Sequence, residues 1–246
     1  TFVNRRDFST HPSASLEMTE WKDRKVVCLS SGTAAVHLAL ISCGVKAGDE
    51  VLVQSFTFCA SSHPITYLGA KPVFIDSERD TWNMDPKALE RAFEKYPDTK
   101  VVIVVNLYGV PAKLDEIKSI CDKYNAILIE DAAESIGSLY KGKHTGTFGK
   151  VGAISFNGNK TITTGGGGMM LFNDEELAAH AKHLTTQAKI PHRWEFRHDY
   201  VGYNYRMPNI NAALGCAQLE NLDEVIASKR QLALEYAEFF KNVDDI

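Results

Sequence analysis

The run Val101-Val102-Ile103-Val104-Val105 (VVIVV) decides the architecture. Five β-branched residues in a row, with no polar residue at alternate positions, cannot leave one face in water. Such a strand is covered on both sides, as the central strands of parallel sheets are. Reading outward, helices and strands alternate on either flank. Downstream, Lys113 to Tyr124 carries Leu114, Ile117, Ile120 and Cys121 at helical spacing, and Ala126 to Ile129 is a strand that runs into Glu130-Asp131-Ala132-Ala133-Glu134. Upstream, Pro86 to Tyr96 is a helix with proline in its first turn, and Pro72 to Ile75 is a strand ending at Asp76. Ala60 to Leu68 reads as a short helical stretch interrupted by Pro64, and Glu50 to Val53 as a strand. Earlier still, Val26 to Leu29 leads through Ser30-Ser31-Gly32 into a helix bearing Val36, Ala39, Leu40 and Cys43, closed by Gly44. This rhythm predicts an α/β fold: a mostly parallel central sheet with helices on both faces. Ligands of such sheets collect beyond the carboxyl ends of the strands, where Asp131, the turn after Leu29 and Phe56-Thr57-Phe58 fall.

Length and composition narrow the function classes. A chain of 246 residues can bury a core without disulfide or metal staples. A formal net charge of −4, with no run of lysine and arginine, argues against nucleic acid or an anionic membrane as an obligatory partner. The five cysteines (Cys28, Cys43, Cys59, Cys121, Cys216) are odd in number and scattered, with no zinc-type spacing. They read as reduced and mostly buried. No stretch approaches ~18 uninterrupted apolar residues, and no charged-then-apolar leader opens the chain, so the cytoplasm is the expected compartment. Residues Thr1 to Lys25 are polar and weakly periodic, an arm or loosely packed lead-in. Beyond the sheet, Asp174 to Leu184 is a polar-faced helix and Lys189 to Asp199 a surface loop rich in His, Arg and aromatics. Helices follow from Asn209 to about Leu222 and from Glu224 to Phe240.

Chemistry concentrates at three places. Residues 151–171, VGAISFNGNKTITTGGGGMML, join an apolar strand to Lys160 and to four glycines, Gly165 to Gly168. A lysine that attacks a carbonyl needs a low-dielectric wall and tight backbone around it, because both favour the neutral amine. Taken alone, though, a lysine before glycines reads as a solvated loop. The strand–turn–helix at Ser31 to Ala34 offers free N–H groups and the positive end of a helix dipole to an anion, or else a plain N-cap by Ser31. Asp131, just past the four apolar strand residues Ala126–Ile129, needs a cation or hydrogen bonds, and alone it reads more readily as an N-cap or a buried structural carboxylate. Together with Phe58 these elements supply what pyridoxal 5'-phosphate requires: a lysine for the Schiff base, a carboxylate on the pyridinium nitrogen, a phosphate cradle and a flat ring.

At this point the chain resembles the sugar aminotransferase (DegT/DnrJ/EryC1/StrS) family of fold-type-I pyridoxal-phosphate enzymes, from about Ser30 to about Leu222. The matching segments are SSGTAAVHLAL, GDEVLVQSFTF, GAKPVFID, EDAAES, GAISFNGNKTITTGGGGMM and GYNYRMPNINAALGCAQLE. The resemblance implies roles. Lys160 would form the Schiff base and then act as general base between substrate carbon and cofactor. Asp131 would hold the pyridinium, and Phe58 would stack on the ring. Gly32, Thr33 and Ser155 would hold the phosphate, with Ala34 in the same turn counted among the cofactor-binding residues. Glu134 sits where relatives place Gln, His or Glu near the phenolic oxygen or the substrate. Asn204, in GYNYR, looks like the asparagine that reaches the neighbouring subunit's phosphate, which implies a homodimer with a shared active site.

The same resemblance implies three segments: an arm at 1–25, a PLP-binding large domain at 26–222, and at 223–246 a linking helix that opens a C-terminal small domain, most of which is absent. Many members carry Glu where Gly166 stands. The surrounding segment is similar to the subgroup acting on UDP-linked 4-keto-6-deoxy-N-acetylhexosamine in bacillosamine- and legionaminic-type pathways. The expected activity is therefore transfer of an amino group from glutamate to a keto sugar nucleotide. A same-fold sugar dehydratase has histidine in place of the lysine, and Lys160 argues against it. A cofactor-binding but inactive regulatory protein is the alternative of a different class. No metal is implied. A P-loop or dinucleotide reading fails because Gly165 to Gly168 lacks a GK[ST] ending and no GxGxxG opens a helix.

Overall fold

A computed structural model of the chain describes residues 24–241 and Val243. The expected N-terminal arm therefore lies, except for Arg24 and Lys25, outside the described residues. Nine strands and seven α-helices are present in this range, with β1 at Lys25–Leu29, β2 at Glu50–Gln54, β3 at Lys71–Ile75, β4 at Val101–Val105 and β5 at Ile127–Asp131. A short hairpin, β6 (Leu139–Tyr140) and β7 (Lys143–His144), precedes β8 (Val151–Ser155) and β9 (Gly168–Phe172). The helices are α1 (Gly32–Ser42), α2 (His63–Tyr67), α3 (Pro86–Lys95), α4 (Leu114–Lys123), α5 (Glu175–Leu184), α6 (Asn209–Glu220) and α7 (Leu222–Phe240).

Seven strands form one sheet in the order β1-β9-β8-β5-β4-β2-β3. The pairs β2–β3, β2–β4, β4–β5 and β5–β8 are parallel, while β9 runs against both β8 and β1. Only β9 is reversed, so the mostly parallel sheet expected from the sequence is the one observed. All five residues of β4 are buried, and alternate ones serve opposite faces. Val101 and Ile103 join a core with Val51, Val53, Ile129 and the inner sides of α1 and α5. Val102 and Val104 join a second core with Leu52, Leu128, Leu89 and Phe93 of α3, and Leu114 and Ile117 of α4. Helices thus cover both faces. The parity also places the next residues of β5. Asp131 follows Ile129 onto the α1 face, and Glu130 follows Leu128 onto the α3–α4 face.

Several expectations are refined. Pro64 does not interrupt a helix: a 3₁₀ turn at Cys59–Ser61 comes first, and Pro64 lies in the opening turn of α2, where its missing N–H is no loss. Pro72 lies within β3, tolerated because β3 is an edge strand. The β6–β7 hairpin turns on Lys141 and Gly142, both with positive φ (50° and 82°), the signature of a two-residue primed turn. The cysteines are all free, as expected, but only Cys121 is fully buried; Cys59 opens the rim turn and Cys216 lies on an open side of α6, and both are exposed. Among the described residues no helix is long and apolar enough to cross a membrane.

Candidate active site

The carboxyl ends of β1, β5 and β8 meet the N-terminus of α1. Ser31 caps that helix, its Oγ accepting from the Ala34 N–H at 3.1 Å. The N–H groups of Gly32 and Thr33 donate to no protein acceptor among the described residues. Strand parity turns Ser155 of β8 toward the same place, and the two elements nearly touch. A Cβ on Gly32 would fall 2.7 Å from Ser155 Cβ and 3.0 Å from its Oγ. Gly168, the partner of Ser155 in the β8–β9 ladder, is constrained by backbone: a Cβ there would lie 2.3 Å from the Ser31 carbonyl oxygen. Two glycines thus let a helix end and two strands close to contact distance around free N–H groups and a hydroxyl.

Asp131 ends β5 almost wholly buried, at 4% exposure. Its carboxylate accepts from Ser61 Oγ (2.7 Å) and from the Ala133 N–H (3.1 Å). Burial pushes its pKa above the usual carboxylate range, and those two donors and the positive charge of Lys160 pull the other way. Ser61, which no sequence pattern singled out, comes from the rim turn that follows Phe58. Phe58 itself stands 69% exposed on the rim.

Lys160 lies on the loop between β8 and β9. Its Nζ donates to Glu134 Oε1 at 2.9 Å, and both side chains are largely shielded. The other Glu134 oxygen accepts the Tyr108 N–H at 2.8 Å. Glu134 therefore links the lysine to the loop after β4. The loop bearing Lys160 is closed at its base by Phe156 N–H to the Gly167 carbonyl (2.9 Å) and Thr164 N–H to the Phe156 carbonyl (3.0 Å). Asn211 of α6 clips its return limb, donating to the carbonyls of Thr164 (2.7 Å) and Gly166 (3.1 Å).

Asn204 does not join this cluster. It is exposed and makes no side-chain hydrogen bond among the described residues. Its neighbours explain this: Tyr203 and Tyr205 turn inward onto His37 of α1, with Tyr205 Oη 3.2 Å from Nδ1 and the Tyr203 ring centred 5.0 Å from the imidazole. Alternation then turns Asn204 outward.

A buried polar network behind the site also went unread in the sequence. Glu130 is wholly buried and accepts from Asn106 Nδ2 (2.8 Å), the Phe148 N–H (2.9 Å) and the Gly146 N–H. Burial raises its pKa, against the pull of those donors. Asn83 Oδ1 accepts the Leu107 N–H (3.0 Å), and its Nδ2 donates to the Val110 carbonyl (2.9 Å). Gln54 Nε2 donates to Asn83 Oδ1 (3.2 Å) and to the Phe56 carbonyl (2.9 Å).

Comparison with known proteins identifies the family and the fold. Residues 18–246 match the model of the DegT/DnrJ/EryC1/StrS aminotransferase family. EpsN of Bacillus subtilis, a proposed pyridoxal phosphate-dependent aminotransferase, is 52% identical over 227 residues, covering 91% of this chain and 58% of its own length. GDP-perosamine synthase of Escherichia coli O157:H7 is 45% identical over 218 residues, covering 89% of this chain and 58% of its own. A proposed sugar aminotransferase of Streptococcus pneumoniae, Spr1654, solved in its PLP form, superposes with a TM-score of 0.83 at 30% identity over 89% of this chain and 60% of that one. The chain thus spans about three fifths of the relatives it matches.

Proposed function

The chain belongs to the DegT/DnrJ/EryC1/StrS aminotransferase family, and from that premise we propose that it is the cofactor-binding part of a PLP-dependent sugar-nucleotide aminotransferase. The amino donor is glutamate. The acceptor is a keto sugar nucleotide, C4 of a UDP-linked 4-keto-6-deoxy-N-acetylhexosamine. The observation that carries the reading is the lysine held 2.9 Å from Glu134, in the electrostatic reach of a buried Asp131.

The residues present fit pyridoxal phosphate. An anionic phosphate suits the unpartnered N–H groups of Gly32 and Thr33, the Ala34 turn and Ser155 Oγ, in a cradle that a single methyl on Gly32 would fill. A cationic ring nitrogen suits Asp131, whose charge is costly while buried without a full counter-ion. When bound, the cofactor supplies an electron sink for the negative charge left on the substrate carbon.

The side chains do the rest. Lys160 would hold the cofactor, and its Nζ would then carry the proton to and from the substrate carbon. Glu134 aims Nζ and limits its swing, because its second oxygen is fixed by the Tyr108 N–H. Asp131 would be ionised beside a positive ring nitrogen, and Ser61 and the Ala133 N–H fix the orientation of its carboxylate. Phe58, exposed on the rim, would supply a flat face for the cofactor ring.

The outward-facing Asn204 supports a homodimer in which each copy contributes this residue to its partner's phosphate. We divide the chain into the arm at 1–25, the large domain at 26–222 and the linking segment at 223–246, and place the protein in the cytoplasm.

Two measurements test the proposal. Added PLP should give the chain a visible absorbance band that Lys160→Ala abolishes. With glutamate and a panel of keto sugar nucleotides, 2-oxoglutarate should accumulate in a chain extended past Ile246. No band in the wild type refutes the cofactor assignment, and a band without 2-oxoglutarate refutes the transfer reaction.

A further inference from the structure

Three aromatic rings stand together on the loops around Tyr108, whose N–H binds the lysine's partner Glu134, and none of them has a place in the chemistry above. Phe56, Trp82 and Tyr108 are 45%, 63% and 75% exposed. Their rings lie side by side, with centroids 6.0 Å apart for Phe56–Trp82 and 6.5 Å for Phe56–Tyr108. With Thr81, Leu107 and Val110 they line a groove of about 360 Å³. A free-standing aromatic cluster on a surface loop would be mobile, but this one is built. Trp82 and Tyr108 both hold positive φ, 61° and 54°. Bulky residues seldom adopt that region, and such strain persists only where surrounding structure enforces it. The enforcement comes from the Gln54–Asn83 amide pair, wholly buried, which fixes Phe56, Leu107 and Val110 through their backbones and sits next to Trp82 in sequence. Tyr108 is also tied by its N–H to Glu134, hence to Lys160.

We propose that this groove seats the nucleobase of the sugar-nucleotide substrate. The inference rests on the function proposed above. A sugar nucleotide has three parts. The hexose must bring its keto carbon to Lys160 Nζ. The diphosphate is anionic, and no cationic side chain lines the groove. The base is flat and uncharged, which matches rigid aromatic walls, and the Thr81 hydroxyl beside them is already held by Glu78 and the Asn83 N–H. Trp82 is two ring-to-ring steps from Tyr108, whose N–H is held by the lysine's partner Glu134, which joins the groove to the lysine. Stacking tolerates any base, so the groove sets affinity for the nucleotide part more than the choice among bases.

Titration calorimetry with UMP, GMP and ribose 5-phosphate tests this on the PLP-loaded chain. At least one nucleotide should bind the wild type. Trp82→Leu, which removes the plane but keeps an apolar side chain, should weaken that binding roughly 5- to 150-fold, the range seen when one stacking partner is lost. Phe56→Leu should act in the same direction. Trp82→Phe, which keeps a plane, should stay within about threefold of wild type, and ribose 5-phosphate should bind all variants alike. The proposal is overturned if neither nucleotide binds the wild type, if Trp82→Leu and Phe56→Leu bind as wild type does, or if ribose 5-phosphate is weakened equally. PLP absorbance read on the same samples keeps the tests apart. An intact band with unchanged nucleotide binding in the variants refutes the groove alone, whereas a missing band refutes the cofactor assignment.

Discussion

Adding one methyl at Gly32 tests the cradle directly. The Cβ of Gly32→Ala would sit 2.7 Å from Ser155 Cβ and 3.3 Å from Ser155 Cα, well inside carbon–carbon contact. Neither group can rotate away, since both belong to the backbone's immediate reach, so α1 and β8 must part by several tenths of an ångström. Overpacking of this kind costs about 1–3 kcal/mol. Alanine's better helix propensity returns at most about 1 kcal/mol, and less at a first-turn position. A net loss near 2 kcal/mol is a thirty-fold fall in the folded-to-unfolded ratio, readable as a lower urea midpoint. The decisive experiment is the reciprocal change. Ser155→Gly removes the opposing Cβ and leaves only the Cα at 3.3 Å, so the double variant Gly32→Ala/Ser155→Gly should recover most of the loss caused by the first change. A coupling of about 1–2 kcal/mol is expected for residues in direct contact. PLP binding should not recover, because the Ser155 hydroxyl is gone. Strict additivity within about 0.5 kcal/mol would show that the close approach does not limit stability, and full recovery of PLP binding would remove Ser155 from the phosphate site.

Three further outcomes follow from the same geometry. The glycine run should be graded: Gly166→Ala, with open space around it, neutral or stabilising by up to about 1 kcal/mol, Gly167→Ala intermediate because it meets movable ends of Thr164 and Met207, and Gly168→Ala the worst because it meets the Ser31 backbone at 2.3 Å; urea midpoints in any other order contradict the reading. For Asp131, burial lifts the folded-state pKa above the ordinary 3.8, so the cofactor-free folded chain keeps a proton that the unfolded chain has released. Its contribution to stability therefore falls as pH rises from the unfolded to the folded value and is flat beyond; Asp131→Asn should lack that fall, be at least as stable as wild type at neutral pH without cofactor, and bind PLP poorly, whereas a cofactor-free Asp131→Asn markedly less stable at pH 7 refutes the argument. Glu130→Ala strips the acceptor from buried donors of Asn106, Gly146 and Phe148, and at about 1–3 kcal/mol for each orphaned group it should cost 3 kcal/mol or more, with a change under about 1 kcal/mol counting against the network.

What the sequence made legible was what is local or periodic. The continuous apolar run of β4 could only be a two-faced strand, and the apolar spacing of α3 and α4 could only be helices against it. Asp131 and Lys160 were visible because each follows a strand on a sheet whose ligand end is known in advance. Partners that meet across long separations left no such trace. Ser61 reaches Asp131 over 70 residues, and Gln54 reaches Asn83 over 29, through lone polar side chains in unremarkable turns. Glu130 and Asp131 stood adjacent as two carboxylates, and only strand alternation, applied once β5 was known to extend to Asp131, would have sent one to the site and the other to the opposite face. The positive φ of Trp82 and Tyr108 had no glycine or asparagine to announce it. Cys59 and Cys216 were misjudged because burial was assigned by residue type, while the rim and α6 leave both exposed.

The loop that carries Lys160 leaves the sheet at Ser155 and re-enters it at Gly168, which pair with each other, and its base is stitched by Phe156, Thr164 and Gly167. Lys160 therefore rides on an insert whose attachment points are fixed by the strand ladder and its stitched base. Residues 157–159 of the insert are exposed, whereas Ile162 is buried in the core, so exchange without disturbing the strands is confined to the exposed part. Changes at those exposed positions can then move the Lys160 amine as a trait separate from foldability. If the proposed transfer reaction holds, a few exposed loop positions are where a new acceptor specificity would be written.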